Sequence, residues 1–204
     1  MPSIAPSTEV SASPELTGCG SSTLSIDYVP GLTTADLAAH GSDFVVADVV
    51  GFDPSIFNTP DGRPPDGFPR RPTGPGPNGN AEDMIYTPIT VEIERAINGH
   101  WKPGSNQFLV EGGTVAVHYV IDGKAIRCYT MRVSPAPQVE PGSRYVFILS
   151  EALDNGGVNP LPLPKAIFAW PVDASGSVST IDGAITLDRL TRIVRDAAPP
   201  PDPQ

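Results

Sequence analysis

Residues 114–133 read TVAVHYVIDGKAIRCYTMRV, and this stretch decides the fold class of the chain. Two runs rich in β-branched and aromatic side chains, 114–121 and 124–133, flank the dipeptide Asp122-Gly123. Aspartate followed by glycine accepts the two positive φ angles of a type I′ turn, whose twist matches that of the flanking strands. The stretch therefore predicts a β-hairpin within a mainly β protein.

The remainder of the chain has the composition of short strands joined by turns. Of its 204 residues, 25 are proline and 20 are glycine, which excludes long helices and coiled coils. Residues 85–97 alternate apolar and polar side chains, as is typical of a half-buried antiparallel strand. Further strands are predicted at 23–29, 44–52, 107–111, 144–150 and 165–171. Short helices are predicted at 35–40, after the cap Thr33-Thr34, and at 187–196, after the cap Thr186.

Composition predicts one folded domain between flexible ends. Residues 1–18 are rich in Ser, Thr, Pro and Ala, which is typical of a flexible stalk, and residues 197–204 form a Pro-rich tail that we expect to be disordered. Residues 19–196 are predicted to form a single β-barrel domain. Within it, residues 53–80 hold eight prolines and five glycines and predict a long irregular loop. Because the strands on either side could pair through a far shorter link, we expect the barrel to fold without most of this loop.

The predicted order of elements is typical of a small barrel. Five or six short antiparallel strands, a long early loop, a short N-terminal helix and a closing C-terminal helix favour a closed antiparallel barrel of the oligonucleotide/oligosaccharide-binding (OB) type.

Residues 42–51, 86–97 and 140–149 lie in a region, about residues 42–150, that resembles netrin-like modules and tissue inhibitors of metalloproteinases, including secreted bacterial proteins with this barrel. Residues 42–51 (SDFVVADVVG) resemble the first barrel strand of that family. Residues 86–97 resemble its second strand, and Asn98 then replaces the lysine of the family's lysine–glycine turn. Residues 140–149 (EPGSRYVFIL) are similar to the G-x-x-Y-L-V-F strand of the bacterial members. The resemblance implies an OB-like barrel in an exported protein.

The charge of the chain disfavours polyanionic partners. It carries 23 acidic and 13 basic side chains, a net charge of −10, and no Lys or Arg precedes Arg63. Because nucleic acid binding depends on neutralising phosphates, we expect no nucleic acid partner, and the same reasoning applies to an anionic membrane surface. No apolar run reaches the roughly 18 residues of a membrane span, so we expect no transmembrane segment.

The composition of the N-terminal stalk favours a particular cellular location. Residues 1–18 lack the basic and apolar regions of a signal peptide, but stalks of this composition often follow an export signal that has been removed. We therefore expect an extracellular or cell-surface location.

The two cysteines, Cys19 and Cys128, leave three interpretations open on the residues alone. An even count in an exported protein predicts a disulfide, two buried thiols would fit a cytosolic one, and residues 16–19 are similar to a lipoprotein cleavage box. In the animal inhibitors of the family named above, an N-terminal cysteine is tied to a middle strand, and this pair matches that tie. Those inhibitors chelate zinc through a free N-terminal amine. Cys19 would acquire one only after cleavage behind Gly18. We predict a Cys19–Cys128 disulfide.

No catalytic constellation is recognisable in the sequence. His40, His100 and His118 lack metal-ligand spacing, and Glu92 and Glu94 share a strand face where solvation and edge protection explain paired carboxylates. We predict no catalytic residue, no metal site and no cofactor, and hence a protein that is not an enzyme.

Candidate binding residues occur in two places. Trp101 follows His100 in a turn framed by Gly and Pro, where an exposed tryptophan would suit a contact surface; alternatively, Trp101 folds back over the end of the barrel. The long loop adds Phe57, Phe68, Arg63, Arg70 and Arg71. We predict a non-catalytic secreted or cell-surface binding module whose partner is a protein or a surface glycan. The alternatives are a metalloprotease inhibitor and a self-associating structural subunit of an extracellular surface assembly.

Overall fold

The computed structural model describes residues 19–25, 31–40, 42–68, 83–121, 124–134, 137–150, 161 and 163–197. The predicted stalk, the tail beyond residue 197 and the Asp122-Gly123 turn lie outside these residues. Within them the protein is mainly β. Its elements are β1 (Cys19–Ser25), α1 (Thr34–Ala39), β2 (Asp43–Phe52), β3 (Ile56–Phe57), β4 (Ile85–Ala96), β5 (Gly104–Glu111), β6 (Gly113–Ile121), β7 (Lys124–Ser134), β8 (Arg144–Ser150), β9 (Lys165–Pro171), β10 (Ser177–Thr180), β11 (Gly183–Thr186) and α2 (Leu187–Ala197).

The central hairpin is confirmed as part of a three-stranded sheet. β6 and β7 pair antiparallel, and β1 adds to the other edge of β7 in parallel. Cys19 lies opposite Cys128 and forms the predicted disulfide, with 4.6 Å between the two Cα atoms. The first strand therefore begins at Cys19, earlier than the predicted 23–29, because pairing with β7 and not local propensity determines its extent.

A second sheet has the strand order β2-β8-β9-β5-β4-β3, and β2 also pairs with β4. β5 and β9 meet in parallel at a single residue pair, Leu109 and Lys165. The predicted alternation is confirmed in the second half of β4, where Ile89, Val91 and Ile93 are buried while Glu92 and Glu94 are exposed. In its first half the prediction is wrong, because Tyr86 and Pro88, on the face predicted to be polar, are buried as well. The buried side chains of this face pack into one cluster with those of the neighbouring strands, including Val45, Val49, Phe108 and Phe147.

The loop predicted at 53–80 is more ordered at its start than its composition suggests. β3 pairs with the beginning of β4, and Phe57 is 1% exposed in a cluster with Val115, Val117 and Met131 of the central hairpin. A strand of two residues is too short to produce a periodic pattern, so the prolines and glycines around it dominated the prediction. Residues 69–80 lie outside the described residues.

The two helices pack together beside β8 and β9. Thr33 and Asp36 form a reciprocal capping box at the start of α1, and the Thr186 hydroxyl accepts a hydrogen bond from the Arg189 amide at the start of α2, as predicted. Leu37 and Leu190 join Trp170 in the cluster that lies under both helices. The small β10–β11 hairpin that leads into α2 was not predicted from the sequence.

Candidate binding site at the turn after β4

Asn98 determines the shape of the turn that follows β4. Its Oδ1 accepts a hydrogen bond from the Phe44 amide at 2.7 Å, and its Nδ2 donates to the Ser42 carbonyl at 3.0 Å. The next residue, Gly99, has φ = 83°, and a Cβ there would collide with the Asp43 carboxylate. The turn is therefore held against the first residues of β2.

Trp101 is anchored at both ends of its indole ring. Nε1 donates a hydrogen bond to Asp43 Oδ2 at 2.7 Å, and the ring meets Phe108 edge to face with 5.5 Å between centroids. The side chain is half-buried against the cluster around Phe108 and Phe147. Trp101 thus folds back over the end of this cluster and still keeps part of its surface accessible to a partner.

His100 covers Trp101 from the solvent side. The two rings stack with 5.3 Å between centroids and 22° between planes, and the His100 side chain is 72% exposed. Its Nδ1 lies 3.9 Å from Asp43 Oδ2, so one carboxylate, itself only 14% exposed, faces both rings. The result is an ordered pair of rings whose outer surface is the imidazole.

The structure separates the loop residues from this ring pair. Phe57 pairs with Ile85 at the first residue of β4, whereas Trp101 follows the last residue of that twelve-residue strand. Phe57 is buried and Phe68 packs against it at 4.8 Å between ring centroids. Arg63 is exposed and lies 3.8 Å from Asp61. Arg70 and Arg71 lie outside the described residues.

The structure also contains a cleft that sequence reasoning missed. It has a volume of about 600 Å³ and lies where β5 turns into β6. Its lining includes Glu111, Gly112, Thr23, Thr130 and Arg132.

Glu111 is the one carboxylate among the described residues that line this cleft. Burial raises the pKa of its carboxyl group, and the nearby Lys165 ammonium partly offsets that rise. Burial likewise lowers the pKa of Lys165, whose Nζ lies 4.5 Å from the centroid of the Tyr86 ring. The only signal in the sequence is a carboxylate that ends the apolar run 108–110 directly before two glycines.

Among the described residues, no three His, Cys, Asp or Glu side chains lie close enough together to hold a metal ion. No helix in the described part of the chain is both long and apolar enough to cross a membrane. Neither a protein-family model, nor a curated protein, nor a solved structure matches this chain. The resemblance to netrin-like modules therefore stays a prediction that depends on the segments within residues 42–150.

Proposed function

We propose that this chain is a non-catalytic binding module, exported from the cell, that contacts its partner through the His100–Trp101 ring pair. The proposal rests on the fixed geometry of this pair: an exposed imidazole stacks on an indole that a carboxylate holds in place. Aromatic side chains dominate contact energies at interfaces, and a side chain already held in place loses little conformational entropy on binding.

The pairing of the main strands supports an OB-like barrel as the scaffold of this module. Pairing runs from β4 to β2, β8, β9 and β5 and then returns to β4, so each of these five strands has two partners. In a closed barrel no strand edge among the five is left open, and the turns at its ends are the natural contact surfaces. The Cys19–Cys128 disulfide supports an oxidising compartment, outside the cell or at its surface.

The partner is a protein or a surface glycan, since stacked rings can pack against an apolar side chain or a sugar ring. The test is to measure binding of the purified, disulfide-bonded chain to an array of immobilised glycans and to a panel of purified extracellular proteins. For each ligand that binds, affinity is measured again with His100→Ala and Trp101→Phe.

His118→Ala provides the matched control, because His118 is also exposed but lies on β6. We expect His100→Ala to weaken binding by about tenfold or more, the usual effect of losing a contact hot spot, and His118→Ala to leave it unchanged. Full affinity in His100→Ala and Trp101→Phe, or equal losses in the two alanine variants, would contradict the proposal.

The Cys19–Cys128 disulfide also supports a second candidate, a metalloprotease inhibitor, because the resemblance implies such a tie in that family. The chain, both intact and trimmed so that it begins at Cys19, is incubated with a panel of zinc proteases. Potent inhibition by the trimmed form alone would favour this second function over the first.

A further inference from the structure

β1 is the outer strand of its sheet, and within the described part of the chain only one of its two edges is paired. β7 pairs with one of its edges, and no strand among the described residues pairs with the other. Ser21, Thr23 and Leu24 are exposed, with Leu24 at 38%. The backbone groups of alternate residues on this edge are therefore available to a further strand.

β1 itself lacks three of the usual protections against strand pairing, namely a charged side chain, a proline and a bulge. The sequence of β1, CGSSTLS, contains no charged residue and no proline, although the whole chain has 36 charged residues (23 acidic plus 13 basic) and 25 prolines. Its register with β7 runs through seven consecutive residue pairs without a bulge. Natural edges are commonly blocked by charge, proline or a bulge, so β1 is suited to accept a partner strand.

The distribution of charge favours a second copy of this chain as that partner. Two copies with a net charge of −10 each repel one another over most of their surfaces. The sheet formed by β1, β7 and β6 contains no Asp or Glu, whereas the other large sheet carries Asp43, Asp48, Glu92, Glu94 and Glu111. The charged residues of the three-stranded sheet are the basic Lys124, Arg127 and Arg132 of β7, and β1 itself carries none, so two such copies can meet along their β1 edges without bringing carboxylates together.

We propose that two copies pair through their β1 edges, antiparallel and about a two-fold axis at Ser22, so that two three-stranded sheets become one sheet of six strands. In this register Gly20 of each copy lies opposite Leu24 of the other. Leu24 would then cover a position that has no side chain, beside the Tyr129 ring that leans over Gly20. Because Gly20 and Leu24 are equally far from Ser22, the contact forms twice.

This contact uses a surface and a partner different from those of the proposed function, and it stands or falls separately. The test is light scattering after gel filtration of the full chain over a micromolar to millimolar concentration series. Ser21→Lys places a charge on the β1 edge. Ala116→Lys is the matched control, since Ala116 is exposed on β6, the other outer strand of the same sheet.

We expect a dimer for the unmodified chain and for Ala116→Lys, and a dissociation constant at least about tenfold higher for Ser21→Lys. Mass spectrometry without reductant and thermal melting verify that each variant keeps its disulfide and its fold; if Ser21→Lys does not fold, Leu24→Lys takes its place. A monomer at every concentration overturns the proposal. So does a dimer that survives the β1 variants or that only Ala116→Lys disrupts.

Discussion

Aromatic side chains lie at both ends of β4, in segments of similar composition, but they are buried at one end and partly exposed at the other. Phe57 lies beside the first residue of β4 and is 1% exposed, whereas the His100–Trp101 pair lies beyond its last residue and exposes an imidazole. Both groups occur in segments rich in glycine and proline, so composition alone does not distinguish them. The difference lies in the anchor. Phe57 is drawn into an apolar cluster, and Trp101 is held by a carboxylate at the rim.

The largest effect is expected at the buried end. Phe57→Ala removes a ring that is enclosed by the hairpin side chains and by Phe68. A cavity of this kind usually lowers the free energy of unfolding by about 3–5 kcal/mol. Denaturant unfolding measures it, and the exposed loop position Pro60→Ala serves as the control. A change of less than about 1 kcal/mol would show that the start of the loop is not part of the core. The same result would support the prediction that most of residues 53–80 can be replaced without unfolding the protein.

The buried end also holds a charged pair, Glu111 and Lys165, around Tyr86. Lys165→Met removes the charge that compensates Glu111 and should destabilise the protein by about 1–3 kcal/mol, less than the loss for a fully enclosed pair. The double variant Lys165→Met, Glu111→Gln should recover most of that loss, since it leaves no unpaired charge. Denaturant unfolding at neutral pH provides the measurement. Equal stability of the single and double variants would contradict the prediction that an uncompensated Glu111 charge destabilises the single variant.

The same pair predicts a pH dependence of stability. The folded state raises the pKa of Glu111 above its ordinary value of 4.5, so this group stabilises the protein below that pH and the contribution is lost as pH rises through the folded pKa. Asp36, Asp61 and Asp173 act in the opposite sense, because hydrogen bonds lower their pKa values and their contribution is lost as pH falls. Melting temperatures of the unmodified chain and Glu111→Gln, measured from mildly acidic to neutral pH, separate the two. The difference between the variants should move in favour of Glu111→Gln as pH rises, and a constant difference would contradict the assignment.

A smaller loss of stability is expected at the turn after β4, when the carboxylate that holds Trp101 is removed. Asp43→Ala leaves the Trp101 indole N–H without its acceptor and should cost about 1–2 kcal/mol. Trp101→Phe lacks that N–H, so Asp43→Ala should cost less in the Trp101→Phe background. A double-mutant cycle from thermal or denaturant unfolding gives the coupling energy. Additive effects would show that Asp43 acts on the turn through Gly99 or His100 and not through the indole.

Much of the fold could be predicted because it depends on local patterns. The hairpin of β6 and β7, the alternation in the second half of β4 and the helix cap at Thr186 each have a cue within a few residues. The start of β1 and the two-residue β3 could not be predicted, since long-range pairing decides both. The site divides in the same way: a tryptophan in a turn is recognisable, but its hydrogen bond to Asp43 joins residues 58 positions apart. The interaction of Glu111 with Lys165 likewise joins residues 54 positions apart, and only the fold brings the two together.

The smallest effect on stability is expected for a substitution at His100, at the end of β4 opposite to Phe57. The His100 side chain is 72% exposed and packs on one face of Trp101, so His100→Ala removes little buried surface. Its free energy of unfolding should change by no more than about 0.5 kcal/mol, the usual range for surface substitutions. A residue that matters for binding and hardly for stability is the mark of a contact surface, whereas Phe57 should show the reverse. Denaturant unfolding of His100→Ala beside Phe57→Ala measures the contrast directly. A loss at His100 that approaches the loss at Phe57 would make the turn part of the core, and the ring pair would then be scaffold and not a binding surface.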